Sequence, residues 1–236
     1  MKLKNVVVLT GAGISAESGL QTFRGNDGLW EGYHIEEVAT PEAWRMNPEL
    51  VQRFYNERRK KCIEAHPNAA HFALVELEKY ADVSIITQNI DDLHERAGSK
   101  SIVHLHGEIR KSQSCLDPSI LYDILGDSIT MGEKCEFGSQ LRPHVVWFGE
   151  PVPKMTDANR LVKKADILLV IGTSLQVYPA ANLVYEADSD CQIIVVDPHI
   201  PPINRNRKNM CFFEEKASVA LPRIVTNFGK KNSFYK

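Results

Sequence analysis

Four groups of side chains in this 236-residue sequence have types and spacings suited to chemistry. Gly11-Ala-Gly13 follows the aliphatic run Val6-Val-Val-Leu9. A strand that runs through glycines into a helix start turns backbone N–H groups and the positive end of a helix dipole toward a phosphate. Gly11 and Gly13 would let the backbone approach a pyrophosphate closely, although the spacing is G-x-G-x-x-x-x-x-G and not the dinucleotide G-x-G-x-x-G. His106, followed by Gly107, carries an imidazole that in its neutral form accepts a proton near pH 7. His104, two residues earlier and on the same face of a regular strand, is its rival, and the His-Gly pairing favours His106. Gln88-Asn-Ile-Asp91 gathers polar groups behind the apolar Val83–Thr87. Phe54, Tyr55 and Arg58 form an i, i+3, i+4 cluster on one helix face.

The elements that must position these groups follow a βα rhythm. Strands are expected at Val6–Leu9, Val83–Thr87, Ile102–Gly107, Asp166–Gly172, Gln192–Val196 and Phe212–Phe213. Helices are expected from Pro41 to about Lys61 with a second start at Pro48, from Asn68 to Tyr80, near 156–165, near Ala180–Glu186, and around Val219–Phe228. The Asn68–Tyr80 helix would set Ala69, Phe72, Ala73, Val75, Leu77 and Tyr80 on its apolar side. Leu20–Trp30, a Gly/Asn/Asp-rich loop carrying Phe23, Leu29 and Trp30, is too apolar to be idle and suits a lid. Residues 111–140 break the rhythm, which resumes at Pro143–Gly149. The fold expected is α/β: a doubly wound parallel sheet, Rossmann-like, from 1–110 and 141–236, with 111–140 as a small inserted module. Five strand ends then converge on one edge of the sheet: Gly11-Ala-Gly13, Gln88–Asp91, His106-Gly107, Gly172-Thr-Ser174 and Asp197-Pro198.

Composition removes several classes. Hydrophobic residues make up 43% and charged residues 25% of the chain, an ordinary globular balance, and the formal net charge of −2 calls for neither nucleic acid nor an anionic membrane. No apolar run approaches a membrane span, and a strand beginning after four residues leaves no room for a secretory signal. Cys62, Cys115, Cys135, Cys191 and Cys211 are an odd, scattered set that suits reduced thiols in a cytoplasm.

In order along the chain, GAGISAESGLQTFRG, TQNIDDLHERAG, HLHGE, RPHVVWFGE, VIGTSLQVYPAA and VVDP together resemble the sirtuins, the NAD-dependent protein-lysine deacylases. The resemblance covers nearly the whole chain. It implies NAD as cofactor and acyl-lysine proteins or peptides as substrates. Gly11, Ala12, Gly13 and Ser15 would hold the pyrophosphate through backbone amides. Phe23 and Arg24 would cover the nicotinamide end, and Gln88, Asn89, Ile90 and Asp91 would contact nicotinamide and its ribose. Gly172, Thr173, Ser174 and Asp197 would serve the adenosine half, and Ala217 would also contact the cofactor. His106 would be the general base, with Asn89 and Asp91 as catalytic partners: the acyl oxygen attacks the ribose, nicotinamide leaves, and His106 activates a ribose hydroxyl. Free lysine and O-acyl-ADP-ribose would be the products. Val146-Trp-Phe-Gly149 would hold the peptide as an added strand.

In the sirtuin branch that removes acidic acyl groups, the acyl pocket carries a Tyr-x-x-Arg pair, which Tyr55 and Arg58 match. An i, i+3 pair aims a phenol and a guanidinium at one spot, and arginine binds carboxylates bidentately. A buried, unpaired arginine would favour succinyl, malonyl or glutaryl over acetyl lysine. Alternatives are a broad or acetyl-preferring deacetylase, or a mono-ADP-ribosyltransferase capturing the same ribosyl group. Most sirtuins bind a structural zinc through two cysteine pairs, whereas residues 111–140 hold only Cys115 and Cys135. Structural zinc is therefore not expected, unless Asp117 or Glu136 completes a site.

Overall fold

Val6, Val7, Val8 and Leu9 are each fully buried, as a strand covered on both faces requires. In the computed structural model, which describes residues 3–22, 29–204 and 209–231, they lie in β1 (Asn5–Thr10). Along the chain follow α1 (Gly13–Ala16), β2 (Leu29–Trp30), β3 (Tyr33–His34), α2 (Ile35–Val38), α3 (Pro41–Met46), α4 (Pro48–Glu64) and α5 (Ala69–Leu77). Next come β4 (Asp82–Thr87), α6 (Leu93–Ala97), β5 (Ile102–His104), β6 (Gly107–Ser114), β7 (Leu121–Asp123), β8 (Leu141–Val145) and α7 (Met155–Val162). The chain continues through β9 (Ile167–Ile171), a 3-10 segment (Ala180–Glu186), β10 (Gln192–Val196), β11 (Met210–Phe213) and α8 (Ala217–Lys231).

Six strands form one parallel sheet in the order β11-β10-β9-β1-β4-β5. The chain builds outward from β1 through β4 to β5, then returns to the other side of β1 with β9, β10 and β11. The strand order therefore reverses between β1 and β9, where open α/β sheets leave a crevice at the carboxyl edge. Strand alternation sorts the core. Val6 and Val8 pack with α5 and α8, whereas Val7 and Leu9 pack with α7 and the 3-10 segment. A third apolar cluster joins α2, α3 and α4 to Leu93, Ile109 and Trp147. Among the described residues no helix is long and apolar enough to cross a membrane.

Three expectations change. Helix α5 buries Ala70, His71, Ala73, Leu74 and Leu77, while Ala69 and Phe72 face solvent. A polar residue, His71, takes an inward position, so the apolar count tilted the expected face. Asn68 caps this helix through Ala70 N and ties it to the first turn through Ile14 O at 2.8 Å and Ser18 Oγ at 2.9 Å. Residues 143–149 do not resume the parallel rhythm: β8 pairs antiparallel with β6, which also pairs with β7. The small module's sheet thus recruits both flanks of the expected insertion. Gly107 is the point of departure. Its φ is 85°, and a Cβ there would meet His144 O at 2.2 Å, so glycine alone fits between the two sheets.

Helix α4 holds this module from the side. The wholly buried Arg59 donates from Nε to Ile109 O at 2.7 Å and from Nη1 to Asn56 Oδ1 at 2.7 Å and Asp127 O at 3.3 Å. Gln52 and Asn56 both donate to Ile129 O, and Ile129 N returns a bond to Asn56 Oδ1. Burial lowers the Arg59 pKa to about 10, which leaves it charged at neutral pH.

Candidate active site

The crevice at the β1/β9 switch opens onto a cavity that runs from the glycine turns to α4. Its end at the glycine turns is made of main chain. A Cβ on Gly11 would lie 2.7 Å from Gly172 O, and one on Gly13 would lie 2.7 Å from Gly172 Cα. Gly172 itself has φ of 60°, and a Cβ there would meet Ile14 N at 2.4 Å. The three glycines are needed first because two turns touch each other backbone to backbone. The same contact uses up amides expected to face an anion. Gly11 N donates to Ile171 O, Gly13 N to Gly172 O at 2.8 Å, and Ser15 N to Ala12 O. Among the described residues the amides of Ala12, Thr173 and Ser174 keep no protein acceptor. Helix α1 is a single turn, too short for a strong macrodipole, so the anion-binding capacity lies in a cradle between the two turns. Gln88 closes the cradle by donating from Nε2 to Thr173 Oγ1 at 3.0 Å.

The two rival histidines separate by their partners. His106 follows β5 and lines the cavity, with Nδ1 at 2.9 Å from Gln88 O. A carbonyl only accepts, so the proton sits on Nδ1 and Nε2 keeps its lone pair. Burial pulls the His106 pKa below the usual imidazole value, against the opposing pull of the Gln88 carbonyl. His104 has both nitrogens engaged, Nδ1 with Asn89 O at 3.1 Å and Nε2 with Glu95 Oε1 at 2.6 Å. Burial works to lower its pKa, but the Glu95 carboxylate and the Asn89 carbonyl raise it overall. His104 braces the strand end from behind, with no nitrogen to spare as a base.

Asn89, Ser15 and Asp91 form a buried relay. Asn89 Nδ2 donates to Ser15 Oγ at 3.1 Å, and the Ser15 hydroxyl donates onward to Asp91. Asp91 also accepts from Leu93 N at 3.2 Å. Burial raises the Asp91 pKa, offset in part by those two donors and by Arg58. Ser15 therefore contributes through its side chain, as the link that orients Asn89 and Asp91.

At the far end of the cavity stand Tyr55 and Arg58, beside Trp30 and Trp147. Tyr55 is fully buried, and its hydroxyl accepts from Trp147 Nε1 at 3.1 Å, leaving its own proton free to donate. Burial pushes its pKa above the ordinary phenol range, so it stays a donor. Arg58 is not the unpaired cation expected. Its Nη1 lies 2.6 Å from Glu31 Oε1 and 3.2 Å from Gln21 O, while Nε is buried with no acceptor among the described residues. Arg58 and Arg59 are both buried, whereas the neighbouring Lys60 and Lys61 are exposed.

The peptide segment is also more engaged than expected. Val146 N donates to His106 O, Trp147 N to Glu150 Oε2 and Phe148 N to Ala39 O. Val146, Trp147, Phe148 and Gly149 all line the cavity, but with these three amides turned inward they are no bare strand edge. Arg142 stacks over Trp147 at 3.8 Å and pairs with Glu150, fixing the indole.

Ile90, Thr173 and Ser174 line the cavity as well. Asp197 and Ala217 do not. Asp197 is buried and closes its own turn on His199 N at 2.8 Å, and the Ala217 side chain packs into the core under α8. Phe23 and Arg24 lie outside the described residues. Sequence reasoning missed Glu31, Glu150 and the cavity-lining Tyr178. Glu31-Gly32 between two aromatics was a readable hairpin signal; the other two had none.

The Sir2 family model matches residues 11–179. An NAD-dependent protein deacylase of Helicobacter pylori (strain ATCC 700392 / 26695) is 54% identical over 204 residues, covering 84% of this chain and 89% of that protein. One of Vibrio vulnificus (strain YJ016) is 53% identical over 228 residues, covering 94% and 92%. Among solved structures, a Sir2 homologue–NAD complex aligns with TM-score 0.87 at 40% identity over 97% of this chain and 90% of the other. A Sir2–p53 peptide–NAD+ complex aligns with TM-score 0.78 at 29% identity over 97% and 95%.

Proposed function

The chain belongs to the Sir2 family and is an NAD-dependent protein deacylase, and from that premise we propose that it favours acyl-lysines with an acidic acyl group. The observation that carries the preference is Arg58: a guanidinium buried in the wall of the cavity, beside the Tyr55 hydroxyl, with no acceptor for its Nε among the described residues. A buried charged donor without a partner is costly, and a carboxylate of a succinyl, malonyl or glutaryl group would supply one. Tyr55 would donate its hydroxyl proton to the same carboxylate.

The residues present fit NAD. The main-chain cradle at Ala12, Thr173 and Ser174 suits a pyrophosphate, and the three glycines let the two turns that form it touch backbone to backbone. NAD, when bound, supplies an electrophilic ribose carbon and a nicotinamide leaving group. The chain's own part is to hold, orient and shield. His106 Nε2 would take the proton of a ribose hydroxyl, its tautomer fixed by Gln88 O. Ser15 would hold Asn89 and Asp91 in place for the carboxamide and ribose. Trp147, Phe148 and Trp30 would keep water from the reacting carbon.

We also read the small module as zinc-free. Cys115 and Cys135 supply two of the four donors a tetrahedral zinc needs, and among the described residues no third His, Cys, Asp or Glu joins them. Cys135 Sγ instead lies 3.4 Å from Ser114 Oγ. The clamp from α4 would do the work of holding the module. Elemental analysis giving one zinc per chain would refute this. With five free thiols, we place the chain in the cytoplasm, acting on protein or peptide substrates and not on nucleic acid or membranes.

The test of the preference is incubation with NAD and matched acetyl, succinyl, malonyl and glutaryl peptides, with products read by mass spectrometry. Arg58→Met should lower desuccinylation by about tenfold or more while sparing deacetylation, the worth of a charge-assisted hydrogen bond. Equal losses on both substrates would sink the acidic preference, and ADP-ribosylated protein as the main product would point to the transferase alternative.

A further inference from the structure

We infer that Glu31 is a specificity-determining residue: an internal carboxylate that occupies Arg58 when the acyl group is uncharged and passes to Lys61 when the acyl group brings its own charge. This rests on the acidic-acyl reading of the same slot.

The geometry is specific. Glu31 and Gly32 form the two-residue turn of the β2–β3 hairpin, with φ of 53° and 87°. Asn or Asp is the usual first residue of such a turn, because φ above zero disfavours longer side chains. A glutamate there reaches farther, and here it reaches two cations. Its Oε1 accepts from Arg58 Nη1 at 2.6 Å and its Oε2 from Lys61 Nζ. The Arg58 and Glu31 side chains are only 7% and 8% exposed, whereas Lys61 is 51% exposed. Burial works against the Glu31 charge, but bonds to Lys61 and Arg58 hold its pKa below the usual carboxylate value.

Charge count gives the consequence. With an acetyl group in the slot, Arg58 has no ligand carboxylate, and Glu31 spares it the large penalty of a buried, uncompensated charge. A succinyl group adds a second carboxylate, so two cations face two anions. Because Glu31 already holds Lys61 through its other oxygen, releasing Arg58 leaves Glu31 paired. Glu31 thus broadens the acyl range and competes with acidic groups, while Lys61 limits that competition.

The test compares kcat/KM on succinyl- and acetyl-lysine peptides of one sequence, with NAD, for the full chain and for Glu31→Gln, Lys61→Met and Arg58→Met. Glu31→Gln should raise the succinyl-to-acetyl ratio by about tenfold, chiefly through KM. Lys61→Met should lower it by about twofold, the smaller effect of a half-exposed cation. A ratio in Glu31→Gln that stays level or falls, with Arg58→Met still losing desuccinylation selectively, overturns the role of Glu31 alone. Equal losses in Arg58→Met overturn the acidic-acyl reading and the inference with it. Should Glu31→Gln fail to fold by thermal unfolding, Lys61→Met decides, and a ratio that does not fall overturns the inference.

Discussion

The two ends of the cavity are built from different materials. At the end proposed for the nucleotide the walls are backbone, and Gly11, Gly13 and Gly172 bring two turns into contact closer than any side chain permits. At the end proposed for the acyl group the walls are long side chains on α4, and Arg58 and Lys61 find their partner, Glu31, on a hairpin turn. A wall made of main chain changes only if the fold changes. A wall made of charged side chains can be retuned by one substitution, so one end would keep its ligand while the other varies.

Gly172→Ala should break the first half of that contrast most severely. A left-handed backbone and a Cβ at 2.4 Å from Ile14 N together predict a loss of about 4 kcal/mol by denaturant unfolding, and activity lost on every acyl peptide alike. A variant of near-native stability would show that the turns have room to part.

Acid should also strike the glycine-turn end first, because two neutral histidines lie beneath it. His71 and His94 are buried with ring centroids 5.0 Å apart, and His94 Nε2 lies 3.1 Å from Thr10 Oγ1 at the end of β1. Burial lowers the His71 pKa from 6.5 to about 4. The unfolded chain therefore takes up this proton from pH 6.5 downward, while the folded chain resists until near pH 4. Stability present above pH 6.5 should fall by about 3 kcal/mol on acidification to pH 4, measured by unfolding at a series of pH values. His71→Gln should flatten that slope.

Arg59→Met tests α4 on its other face. Ile109 O and Asp127 O would lose their buried donor, so the expected loss is about 2 kcal/mol, with faster hydrogen exchange in β6 and residues 127–129. The succinyl-to-acetyl ratio should not move, in contrast to Arg58→Met one residue away. The mildest change is Tyr55→Phe. It leaves Trp147 Nε1 without its acceptor, for about 1 kcal/mol, and should raise KM for succinyl peptides more than for acetyl peptides.

Arg58 and Arg59 also mark where sequence reasoning reached its limit. The Tyr55–Arg58 spacing put both on one helix face and both do line the cavity, because i and i+3 positions follow from helical pitch alone. That Glu31 would claim Arg58 depended on a hairpin turn 27 residues away, and the role of Arg59 on carbonyls 50 and 68 residues away. The same division runs through His104 and His106. Both were visible as candidate bases and the His-Gly pairing favoured His106; their partners Glu95, Asn89 O and Gln88 O supply the physical reason.

By itself the sequence determined the parallel α/β sheet, the convergence of five strand ends on one edge, and the residue types gathered there. Strand alternation, helical period and glycine turns are written in neighbouring residues, so local pattern suffices to place them. The tertiary structure decided which amides of the glycine turns remain free, which histidine keeps a lone pair, which carboxylate sits on Arg58, and that β8 turns away into an antiparallel sheet. Each of these is a choice of hydrogen-bond or charge partner between segments far apart in the chain. Such choices are made by contact and burial, which no local period encodes.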